Sequence, residues 1–139
     1  MKVEIVLTIE RILSGIKINK VQDKEVKSAL LKDYLAVRRI AKMVEADRQE
    51  TIRKFQSDWK EALDDKSKQN EDFERAKRDA ADSLLAFERI DSSLYDKSEM
   101  EFVKFPSEAL YEPDLWAEDI LLAQIPGSID FLIENGVAE

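Results

Sequence analysis

Residues 23–63 read DKEVKSALLKDYLAVRRIAKMVEADRQETIRKFQSDWKEAL. They lie inside a longer stretch, 16–105, that holds neither glycine nor proline, the two residues that most reliably interrupt secondary structure. Ala, Leu, Lys, Glu, Arg and Asp fill it, so the stretch predicts very long helices. The helix that contains 23–63 starts at Asn19, which with Gln22 resembles a capping box, or one turn later at Asp23. Nothing breaks it before the polar run 64–70, giving a rod of roughly 60 Å at 1.5 Å per residue.

The apolar pattern changes along this helix. Its first half shows two stripes, one of Leu30, Tyr34, Val37, Ala41 and Val44, the other of Leu31, Leu35, Ile40 and Met43. Its second half keeps one narrow stripe of Ile52, Phe55, Trp59 and Leu63. A wide apolar face needs covering on two sides and a narrow one needs a single partner helix. The first half is therefore expected inside a globular head and the second half in a protruding two-helix arm. The single partner follows: Phe73, Ala76, Ala80, Leu84, Phe87, Ile90 and Leu94 step by three and four. They predict an antiparallel return helix, with 64–70 as the hairpin tip.

Outward from the hairpin, Val3–Leu7 alternates like a short strand, and Thr8 is placed to cap a short helix whose apolar residues are Ile9, Ile12, Leu13 and Ile16. Gly15 suits a left-handed cap at its end. On the far side, Glu99–Phe105 is strand-like and stops at Pro106, making it the expected mate of the N-terminal strand in a two-stranded ribbon. Ser107 caps a short turn, Pro113 opens a helix over 114–124, Pro126-Gly127 breaks it, Ser128 caps another, and Gly136 closes that one. The fold class is mainly α with a minor β part: a long antiparallel helical hairpin on a small head, with a ribbon built from the two termini. The organisation expected is a single domain over 1–139, with the head from 1–45 and 85–139 and the arm from 46–84.

The chain has 139 residues, a net charge of −8, and neither cysteine nor histidine. Without cysteine, disulfides and thiolate metal sites are impossible and an intracellular home is favoured. Without histidine, the commonest general base and metal ligand is missing. The N-terminus lacks a signal peptide's cleavage site and no apolar run approaches a membrane span; the expectation is a cytoplasmic, non-membrane protein. Charge is segregated along the chain. Residues 17–42 hold eight bases against three acids, whereas residues 105–139 hold eight acids and no base.

Candidate chemistry is sparse. A di-iron bundle needs Glu-x-x-His pairs, which no sequence without histidine supplies. The acids of 64–72 are similar to a calcium loop, yet the obligatory glycine is missing and lysines occupy two early positions. No glycine-rich phosphate loop exists, and no nucleophile–base pair forms beyond a generic Ser–Lys combination. No metal, cofactor or catalytic residue is assigned, and the protein is read as a non-enzyme. Arg38, Arg39 and Lys42 form the densest basic cluster and are the candidate nucleic-acid contacts. The competing readings are a solvated helix face or, preferred, pairing with the baseless segment 105–139 inside one molecule. The apolar residues of that segment, Trp116, Ile120, Leu121, Leu122, Ile125, Phe131, Leu132 and Ile133, either cap the core, the preferred reading, or form a partner-binding motif.

The order of a short start, a Lys-rich lead-in at Lys24, a long charged helix through Phe55-Gln56-Ser57-Asp58-Trp59, the return Phe73–Leu94, the segment Met100–Phe105 and the close Ile129–Asn135 resembles that of a group of small uncharacterised phage and prophage proteins. The resemblance is one of pattern, covers most of the chain, and carries no functional residue over. It implies a mobile-element origin with an assembly, chaperone-like or regulatory role. The function expected is a non-enzymatic interaction or assembly protein, engaging a protein partner or a second copy through the arm at Ile52, Phe55 and Trp59. The alternatives are a nucleic-acid-directed regulator using 17–42 and an acidic inhibitor of a basic host protein.

Overall fold

In the computed structural model the protein is mainly helical. Residues 1–64, 69–96 and 100–139 are described; for 59–64, 69, 70, 72, 73 and 76, at the far end of the hairpin, only the backbone is. The four α-helices are α1 (Val3–Ser14), α2 (Lys24–Asp64), α3 (Gln69–Arg89) and α4 (Ile125–Glu134). Single 3-10 turns at Ile18–Lys20, Ser92–Leu94, Ser107–Leu110, Pro113–Leu115 and Leu122–Gln124 connect them.

The long helix forms as its sequence demands. Asp23 is the N-cap: its Oδ1 accepts from the backbone N–H of Glu25 at 2.9 Å and of Val26 at 3.2 Å, satisfying two donors the helix itself leaves open. From there α2 runs 41 residues, about 60 Å. Helix α3 packs antiparallel along it. The segment after α3 returns to the first half of α2, where Arg39 pairs with Asp96 and the Tyr95 hydroxyl donates to Asp47 at 2.9 Å. Most of the hairpin tip expected over 64–70, and the side chains of Trp59 and Phe73, fall outside the described set.

One contiguous core fills the head. From α2 it takes Val26, Ala29, Leu30, Val37, Ile40 and Val44, a single stripe at helical spacing. Helix α1 adds Val3, Val6, Ile9, Ile12 and Leu13; the C-terminal region adds Phe105, Leu110, Leu115, Trp116, Ile125, Ile129, Leu132, Val137 and Ala138. Of the eight apolar residues singled out in the acidic segment, Trp116, Ile125 and Leu132 are buried, while Ile120 and Phe131 pack half-buried against the core. Leu121, Leu122 and Ile133 are exposed.

Several local expectations are corrected. Val3–Leu7 is the first part of α1, and Thr8 lies mid-helix with its hydroxyl donating to the Glu4 carbonyl at 2.8 Å. Val3, Val6, Ile9 and Leu13 need the helical period to face α2, α3 and α4 together, and that packing overrides the alternation. The ribbon is absent among the described residues; isolated bridges join Lys2 to Asp91, Ile16 to Trp116 and Phe105 to Ala138. Phe105 thus pairs with the C-terminus. Ser107 N–H donates to Glu139 O and Glu139 N–H to Phe105 O, both at 2.9 Å.

Gly15 has φ −80°, ordinary right-handed backbone. A Cβ there would meet the δ-methyl of Ile120, the far end of a flexible side chain that can turn aside. No helix spans 114–124: the turn Pro113–Leu115 gives way to extended backbone at Trp116, where Ala117 N–H donates to Gly15 O at 2.8 Å. Pro126 sits in the first turn of α4 and Ser128 is not its cap; proline suits that turn because its missing N–H would have no helical partner. Gly136, at φ +76°, does take the left-handed conformation after α4. The second stripe is split: Leu31 and Leu35 are exposed, while Ile40 is buried and Met43 packs half-buried against the core, so α2 buries one face here. The return helix ends at Arg89, leaving Leu94 in a solvent-facing turn.

Candidate functional site

The basic part of α2 lies on the side opposite the core. Successive residues of a helix turn by about 100°, so Lys24, Leu31, Leu35, Arg38, Arg39 and Lys42 share the outward face when Leu30, Val37 and Val44 point inward. All six are exposed, Leu31 at 48% and Leu35 at 58%. The two arginines are held by carboxylates: Arg38 Nη1 lies 2.9 Å from Glu10 Oε1 of α1, and Arg39 pairs with Asp96. The Glu10 hydrogen bond pushes the Arg38 guanidinium pKa further up. Lys24, Lys27, Lys32 and Lys42 have no ion pair among the described residues.

The expected charge pairing of 17–42 with 105–139 does not appear among the described residues; the segments meet through the backbone, where the Lys17 N–H donates to the Leu115 carbonyl at 2.6 Å. A groove of about 900 Å³ has Lys17 and Lys20 among its walls and Glu112, Asp114 and Glu118 opposite, but the ion pairs of Arg38 and Arg39 go to α1 and to the segment after α3. A second cleft of about 600 Å³ opens between α1 and α4, lined in part by Arg11, Trp116, Gln124 and Ser128. The Trp116 indole N–H is spent on the Leu110 carbonyl at 2.7 Å. The remaining polar groups lie at the rim, none of them buried.

In the arm, Ile52 and Phe55 are half-buried; Trp59 lies on α2 with its side chain outside the described set. Past Val44 of α2 and up to Arg89 of α3, Ala80 is the one buried side chain among the described residues. Hairpin packing therefore continues beyond the head, with no closed core among the described residues.

One group escaped the reading of the sequence. Asp33 lies on the inward stripe of α2, three residues after Leu30 and four before Val37, and is 1% exposed. Its Oδ1 accepts the Val103 N–H at 2.9 Å, which fastens the 100–105 segment to α2. Its Oδ2 is buried without a partner. Burial raises the carboxyl pKa to about 6, against smaller lowering effects from the Val103 hydrogen bond and the Lys32 charge. An acid occupying the register of a core stripe was the available signal.

No group of three or more acidic side chains is arranged to hold a metal ion among the described residues, and no helix is long and apolar enough to cross a membrane. No protein-family model, curated protein or solved structure matches this chain.

Proposed function

We propose that the chain is a non-enzymatic protein-interaction or assembly protein, working in the cytoplasm, whose helical hairpin presents a surface to a protein partner or to a second copy. The observation that carries this reading is the half-burial of Ile52 and Phe55 in an arm where Ala80 is the one buried side chain among the described residues. A lone partner helix leaves these side chains partly in water, and a further helix or a second hairpin would remove them from it.

The mobile-element origin rests on the resemblance of pattern alone; an assembly gene cluster around the coding sequence would support it. Light scattering with Phe55→Glu and Trp59→Ala tests the arm. The expected result is loss of self-association or partner capture with the helix content unchanged. A strict monomer whose partner capture is unaffected by both substitutions counts against the arm as interface.

The nucleic-acid reading draws less support, because Arg38 and Arg39 must leave Glu10 and Asp96 before they can take phosphates. The acidic-inhibitor reading keeps the exposed carboxylates of 105–139, but much of the apolar surface of that segment is spent on the core.

A further inference from the structure

Four of the exposed leucines on the head fall into two patches of opposite charge. On α2, Leu31 and Leu35 stand one helical turn apart, flanked by Lys24, Lys27, Lys32 and Lys42, none of which has an ion pair among the described residues. In the connection before α4, Leu121 and Leu122 are 65% and 67% exposed. They follow Glu118, Asp119 and Ile120, in a segment without a single base, and neither of these carboxylates is ion-paired among the described residues.

We propose that these patches dock on one another between two copies of the chain, the Leu121–Leu122 loop of one lying across Leu31 and Leu35 of the other. This rests on the reading of the protein as an interaction module and names its partner. Each patch offers what the other lacks: an apolar centre needing cover and a rim of the opposite sign. Two acidic chains repel overall, but at physiological salt charges farther apart than about 8 Å are largely screened, so the facing patches dominate. Leucine burial supplies affinity, and the rim charges supply register and encounter rate. So small a contact belongs with transient interfaces, with a dissociation constant of about 10–100 µM.

Sedimentation velocity over a concentration series at low and high salt tests this, with circular dichroism to confirm folding. Wild type is expected to self-associate more weakly as salt rises. Leu31→Ser with Leu35→Ser, or Leu121→Ser with Leu122→Ser, should each weaken association at least about tenfold. Mixing these two variants should restore a dimer through the one contact left intact. Lys24→Glu with Lys42→Glu should weaken association as well, and Glu118→Lys with Asp119→Lys on the other copy should recover it. Wild type monomeric at about 1 mM, or association unchanged by both leucine pairs, overturns the proposal. If association is lost only with Phe55→Glu, the head contact is wrong and the arm reading stands. If a monomeric protein instead floats with phosphatidylserine vesicles in a Leu31- and Leu35-dependent way, the face belongs to a lipid surface and the proposal is overturned.

Discussion

Asp33 places a carboxylate where every neighbour on its stripe is apolar, and it is the residue whose ionisation the fold resists most visibly. In the unfolded chain it titrates near the ordinary carboxylate value of 3.8, and in the folded protein at about 6. The folded state therefore binds the proton more tightly. Its contribution to stability is fully present below the unfolded pKa and is lost as pH rises through the folded one. The difference corresponds to roughly 3 kcal/mol. Asp33→Asn stays neutral throughout and can still accept the Val103 N–H. Its stability relative to wild type should grow by up to about 3 kcal/mol between pH 4 and pH 7.5, read from urea melts at each pH. A pH-independent difference would mean that Asp33 is solvated.

At the scale of elements, the C-terminal strand-like pairing closes the head. Phe105 is almost fully buried and bridges Ala138, and Val137 is buried beside it. Removing residues 137–139 deletes the partner of both Phe105 O and Ser107 N–H along with two core side chains. We expect that truncation to abolish cooperative thermal unfolding, and Phe105→Ala to cost about 3–5 kcal/mol. A truncated chain that melts like wild type would show the C-terminus to be an appendage. This pairing was not legible beforehand. Met100–Phe105 is extended in character, but nothing local to it names a partner, and the expected mate at Val3–Leu7 fits both the helical and the strand period. Alternation of Val3, Ile5 and Leu7 is a property of five residues; burial of Val3, Val6, Ile9 and Leu13 together is a property of three neighbouring helices.

At the scale of the molecule, head and arm differ in how much of each helix is buried. The contiguous core ends at Val44 on α2 and does not include Ala80, so the hairpin beyond it should be separable. Joining residues 52 and 80 through a short glycine-containing turn should leave a head that unfolds cooperatively, with the Trp116 indole still buried and its fluorescence blue-shifted. Loss of that signal would mean the arm contributes core the head needs. The buried Asp33 and the three chain-closing bridges, at Lys2, Ile16 and Phe105, all belong to the head.

Helical spacing is a local rule, with contacts three and four residues apart, so α2 and the body of the return helix could be read from the sequence, while the choice of Asp23 over Asn19 as cap and the stop at Arg89 could not. The absence of glycine and proline from 16–105 sets the hairpin in the same way, and the missing histidine and cysteine restrict the chemistry before any fold is known. What only the tertiary structure decided is that Ile40 turns inward while Leu31 and Leu35 of the same stripe stay outside, that Asp33 is buried against Val103, and that Phe105 pairs with Ala138. Each depends on a neighbour distant in sequence. The side left outside by that choice carries Leu31 and Leu35 beside lysines that have no ion pair among the described residues.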